Sequence, residues 1–103
     1  MSYIYLMESI KDYETTYKIG YSINPKKRIN NIKTGNEGEM KILHIFKTNH
    51  GKKLEIALHN VYSHFKINRE WFNLNIETLC NFLSTCQKIE NSLDIIEKNK
   101  NMY

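Results

Sequence analysis

Residues 17–28 read YKIGYSINPKKR, a strand, a turn and a helix start in immediate succession. Tyr17, Ile19 and Tyr21 alternate with Lys18, Gly20 and Ser22, which predicts a strand over 17–22 with those two sets on opposite faces. Asn24-Pro25 predicts a helix start. An asparagine side chain accepts from the free amides of a first turn, and proline suits the first helical position because its missing N–H would have had no partner. The helix KKRINNIKT then stops at Gly35, a residue suited to the left-handed C′ position. Only Ile29 and Ile32 point inward, so this helix needs tertiary support. Its other face carries Lys26, Lys27, Arg28 and Lys33.

Upstream, SYIYLM (2–7) is β-branched, aromatic and apolar and predicts a partner strand. ESIKDYETT between the two is polar and turn-prone, so the hairpin is expected to have a long loop. Downstream, MKILHIF (40–46) is apolar on both faces, which predicts a central strand covered on each side. KKLEIALHNVYSHF (52–65) is the most regular helical stretch. Leu54, Ala57, Leu58, Val61 and Phe65 form its apolar stripe, and Glu55, His59 and Tyr62 share one flank beside it. REWFNL (69–74) predicts a short turn or strand that inserts Trp71 and Phe72 into the core.

A last helix is expected over 76–98. Leu79, Phe82, Cys86, Ile89, Leu93 and Ile96 recur at spacings 3, 4, 3, 4, 3, a heptad seam of about two and a half repeats. Such a seam either packs on the domain or pairs with a second chain as a homodimer, and the tail KNKNMY frays. Cys80 and Cys86 lie on different faces of that helix with no Cys/His run around them, so both read as core thiols rather than zinc ligands. The order β-β-α-β-α-α predicts an α+β fold, a small three-stranded antiparallel sheet flanked by helices. The division is a domain over 1–74 and a C-terminal helix over 75–103.

At 103 residues the chain supports one modest core. Its hydrophobic fraction of 41% is that of a globular protein, and no apolar run approaches the ~20 residues of a membrane span. The N-terminus MSYIYLMES lacks the basic start and long apolar stretch of a signal peptide, so the expected location is intracellular, with no membrane partner. The net charge of +4 and pI near 9.0 permit a polyanionic partner. Lysine supplies nearly all of that charge in an Asn- and Ile-rich chain, a bias that an AT-rich genome produces by codon usage alone. Arg28 and Arg69, the two arginines, are therefore more informative than any lysine cluster.

If the apolar sets of the hairpin are buried, Ile4 and Leu6 share the core face, and Tyr5 and Lys18 share the open one. Gly20 beside them would keep that face shallow enough for a ligand backbone. The ordered set YIY (3–5), YKIG (17–20), NPKKR (24–28), LEIALH (54–59) and REWF (69–72) resembles the GIY-YIG endonuclease superfamily, and most of all its phage- and large-DNA-virus, phage T5-type DNA-binding branch. The resemblance covers residues 3–74. It implies catalytic roles for Tyr5, Lys18 (in place of the second tyrosine), Arg28, His59 and Glu55, with Glu55 as the metal ligand. Tyr3 departs from the pattern, standing where the first glycine would be.

The implied activity is metal-dependent hydrolysis of DNA phosphodiester bonds with Mg²⁺ or Mn²⁺. The alternative is a non-catalytic nucleic-acid-binding or regulatory module. The residue types suit the chemistry. A glutamate is a hard oxygen ligand for Mg²⁺, and an arginine forks onto phosphate oxygens. A tyrosine with a pKa near ~10 becomes a base for water only if neighbouring cations, here Lys18 and Arg28, lower it. Lys26, Lys27, Lys33 and Arg28 would track the DNA backbone. Glu70 reads as a structural residue, capping or pairing near Arg69, with a second metal ligand as the alternative. His44, His50 and His64 receive no role.

Overall fold

The computed structural model describes residues 1–34 and 38–100, the side chains of residues 32–34 lying outside that description. Gly35, the expected helix stop, and the side chains of Ile32 and Lys33 therefore fall outside the described residues.

The hairpin is tighter than the sequence suggests. β1 (Ser2–Lys11) and β2 (Glu14–Ser22) pair antiparallel along their whole length, so ESIKDYETT is mostly strand rather than loop. Asp12 and Tyr13 make the turn with φ of 51° and 66°. Positive φ at both central residues matches the right-handed twist of the strands, which is why so short a connection works without glycine. The register sets Tyr5 opposite Gly20 and Met7 opposite Lys18, as the alternation predicts.

α1 (Pro25–Thr34) begins as expected, with the Lys27 amide donating to Asn24 Oδ1 at 3.2 Å. β3 (Glu39–Thr48) pairs with β1 and stands at the sheet edge, not at its centre. Its register slips between Leu6 and Met7, and its outer face leaves Ile45 half exposed while Leu43 and Phe46 pack on the core. The strands buried on both faces are β1 and β2, each with four consecutive buried residues.

α2 (Gly51–Val61) ends before the expected boundary, and a single 3₁₀ turn covers Ser63–Phe65. That change of winding exchanges two residues. Val61 points to solvent, and Tyr62, assigned to the polar flank, is buried and stacks near Phe82. β4 (Lys66–Asn68) and β5 (Trp71–Phe72) then extend the sheet to five strands in the order β3-β1-β2-β5-β4, against the three expected. These strands are too short to show an alternation, so the pairing of β5 with β2, and of β4 with β5, is a tertiary event.

The C-terminal helix is broken in two. α3 (Ile76–Cys80) is capped by Asn75, whose side chain accepts from the Thr78 amide, and α4 (Phe82–Lys100) follows after Asn81. The helix persists through residues of the tail expected to fray, and 101–103 lie outside the described residues. The seam packs within the chain. Phe82 and Cys86 are fully buried with Ile4, Leu6, Ile19, Leu54 and Leu58, while Leu79, Ile89 and Leu93 border that core and Ile96 is exposed. Cys86 is a core thiol, pushed up to about 12 chiefly by burial. Cys80, placed in the core by sequence, is exposed because α3 ends there. No helix among the described residues is long and apolar enough to cross a membrane.

Candidate active site

The site lies at the outer edge of β2. β5 pairs with β2 only at Tyr17 and Lys18, so the next residues of β2 have β1 on one side and no strand on the other. Backbone groups on that edge still need partners. The Ile19 amide donates to the Glu70 carbonyl at 3.1 Å. The Ile19 carbonyl accepts from His59 Nε2 at 2.9 Å, and the Tyr21 amide donates to Glu55 Oε2 at 2.9 Å. Glu55 and His59 are one turn apart on α2, so the helix lays an acceptor and a donor along the open edge. Their flank position was legible in the sequence. Their attachment to β2 backbone was not.

These contacts gather the charged residues. Lys18, Arg28, Glu55, His59 and Glu70 line one hollow of about 790 Å³. Glu55 is buried, and its Oε1 accepts from the exposed Lys52 ammonium at 3.3 Å. The Ile19 carbonyl has no proton to give, so Nε2 carries the hydrogen in neutral His59 and Nδ1 presents a lone pair. The His59 ring is held edge-on against Phe72, with centroids 5.0 Å apart. Lys18 is buried, lies 5.4 Å from the Trp71 ring, and makes a direct ion pair with Glu70.

Tyr5 stands differently from the sequence reading. It is 1% exposed and does not line the hollow. Its hydroxyl hydrogen-bonds Arg28 from below. Gly20 provides the room: a Cβ built there would lie 2.5 Å from Tyr5 Oη. The space expected for a ligand backbone is filled by the protein's own phenol. The pKa moves opposite to expectation as well. Burial pushes the Tyr5 phenol up, and the Arg28 hydrogen bond and charge offset only part of that. The same bond holds the Arg28 guanidinium up.

Lys26 and Lys27 are exposed on α1. Lys27 lines a shallower cleft beside the hollow together with Arg28, Glu55 and Glu70, while the Lys33 side chain lies outside the described residues. Glu70 is the residue whose part sequence reasoning missed. It pairs with Lys18, 52 positions away, rather than near Arg69. Lys66 and Arg69 also reach the hollow without any sequence signal for it, and Lys52 reaches it as the ion-pair partner of Glu55 that the i, i+3 spacing allows. No local signal marks Glu70 and Arg69, because the β4–β5 turn that delivers them is defined only by the pairing of β4 with β5 and of β5 with β2.

Residues 2–93 match the family model of the T5orf172 domain. No curated protein and no solved structure matches the chain.

Proposed function

The chain belongs to the T5orf172 domain family, and from that premise we propose that it is a metal-dependent endonuclease of the GIY-YIG type, hydrolysing DNA phosphodiester bonds. The observation that carries this reading is the convergence of Lys18, Arg28, Glu55 and His59 on one hollow, with Tyr5 bonded to Arg28 beneath it.

The donor set suits Mg²⁺ or Mn²⁺. Glu55 is a buried carboxylate with one oxygen fixed by the Tyr21 amide and the other shared with an exposed lysine. One protein carboxylate with waters and substrate oxygens is an ordinary magnesium arrangement. When bound, such an ion supplies charge neutralisation at the phosphate and at the leaving oxygen. The chain's own residues do the rest. Arg28 forks onto non-bridging oxygens, and Lys18 adds a point charge. Tyr5, protonated and buried, aims Arg28 rather than serving as base in this state. His59 Nδ1 is the free acceptor for the proton of an attacking water. Lys26 and Lys27 on α1 hold the adjacent backbone, and so small a surface favours weak sequence preference.

The raised Tyr5 phenol also favours a second reading, a nucleic-acid-binding or regulatory module without cleavage. One experiment separates them. Supercoiled plasmid with Mg²⁺ or Mn²⁺ is expected to be nicked, with Glu55→Gln and Arg28→Ala each lowering the rate about 100-fold. Gln still accepts from the Tyr21 amide, so Glu55→Gln preserves the fold. Salt-dependent binding in EDTA together with no strand breaks on single-stranded, duplex or branched DNA would establish the second reading instead.

A further inference from the structure

Glu70 has a position that neither capping nor a surface ion pair explains. Its backbone is tied down: the carbonyl accepts from Ile19, and the residue occupies a two-residue turn in which Arg69 adopts φ of 39°. Its side chain is 32% exposed at the rim of the hollow and is held there by the Lys18 ammonium. The Lys18 side chain is 9% exposed, and its ammonium pairs with that carboxylate. Glu70 shares the hollow and the adjoining cleft with Arg28, and its charge is felt by both Arg28 and Tyr5. A carboxylate offers two oxygens in a geometry close to that of the non-bridging oxygens of a phosphodiester.

We propose that Glu70 stands in for the substrate phosphate in the nucleic-acid-free protein, holding Lys18 beside Arg28 until a phosphodiester displaces it. This rests on the reading of the hollow as a phosphate site. Without such a counter-ion, the buried Lys18 ammonium would lose its ion-pair partner. With it, the cations stay positioned, and exposure on the solvent side lets the carboxylate swing away when a phosphate arrives. The consequence is a competition: the internal anion lowers the affinity for the external one, and binding weakens for any polyanion too poorly fitted to evict it.

The test is binding of a short DNA duplex in EDTA, so that neither metal nor cleavage contributes. Glu70→Gln is isosteric and loses the charge; it is expected to tighten binding about tenfold. The gain should vanish in a Lys18→Met background, because it acts through that lysine. Neutralising Glu77, which lies outside the hollow, reports the generic effect of removing one negative charge. Equal binding by wild type and Glu70→Gln, or a gain that survives Lys18→Met, overturns the proposal. A thermal melt of each variant accompanies the titration. If Glu70→Gln does not fold, Glu70→Asp, which keeps the charge but withdraws it by one methylene, should give a smaller gain, and no gain overturns the proposal. If neither wild type nor variant binds DNA, the functional reading fails by itself. Inorganic phosphate then becomes the probe, tighter binding to Glu70→Gln sustaining the displacement and equal binding refuting it.

Discussion

Gly20 and Tyr5 form a single unit across the hairpin, and that pairing decides what the KIG triplet is for. Any side chain at 20 collides with the phenol ring, since even a methyl carbon would sit 2.6 Å from Tyr5 Cζ. Gly20→Ala is expected to cost about 1–3 kcal/mol, the usual range for overpacking a filled site, and to detach Tyr5 from Arg28. Denaturant unfolding measures the first effect, and the pKa of Arg28-linked Tyr5 by absorbance titration reads the second. A variant as stable as the parent with an unmoved phenol would show that the ring has another place to go. The sequence marked both residues and put them on one face through strict period-two alternation. It missed that they touch, because cross-strand pairing, not chain order, sets Tyr5 opposite Gly20.

Among the elements, β2 and α4 show how helices complete a sheet. The free edge of β2 is closed by α2 side chains, which turns a structural need of the backbone into the wall of a site. α4 is held by a second polar cluster, at the corner between β3 and α2. Buried Glu90 accepts from Thr48 Oγ1 at 2.5 Å and from the Asn49 amide at 3.0 Å. His50, which sequence reading assigned no role, faces Asp94 at 2.7 Å and Glu97 at 3.5 Å. The cluster fastens the half of α4 whose apolar side has thinned, since Ile95 and Ile96 are exposed. His50→Ala is expected to cost about 1–2 kcal/mol and to raise amide exchange across residues 90–98 while β1 and β2 stay protected. Hydrogen-exchange mass spectrometry decides it, and unchanged exchange over 90–98 would mean that the apolar seam alone holds the helix. The seam was readable from its heptad spacing, but spacing could not say whether the partner was this chain or another. The core contacts of Phe82 and Cys86 give the seam an intrachain partner.

At the scale of the molecule, the core sets a direction for stability against pH. Burial pushes the Cys86 thiol from 9.0 up to about 12, and it pushes the Tyr5, Tyr17 and Tyr62 phenols upward too. Each of these groups holds its proton more tightly folded than unfolded. Their contribution is therefore complete below the ordinary thiol and phenol values and is lost as pH rises through them, because the unfolded chain gives up protons first. The melting temperature is expected to fall steadily from about pH 9 upward. Cys86→Ala should lower the baseline and flatten the decline between pH 9 and 12, and a slope identical to the parent's would remove Cys86 as a cause. The same burial leaves Cys86 inert to thiol reagents in the native state, while exposed Cys80 reacts.

What the sequence determined by itself was local and periodic. Alternation over 17–22 set the faces of the hairpin, Asn24-Pro25 started α1, and the 3.6-residue repeat of α2 placed Glu55 and His59 on one flank. The ordered motifs carried the family, because residue types at fixed spacings survive without coordinates. What only the tertiary structure decided was non-local. β3 went to an edge because β1 has just two sides and β2 took one. β5 exists only through pairing with β2, and β4 through pairing with β5. Glu70 reached Lys18 across 52 positions, and Tyr5 sank beneath Arg28 instead of facing solvent. Period and capping act within a few residues, whereas desolvation, ion pairing and edge closure depend on what the folded chain brings from far away.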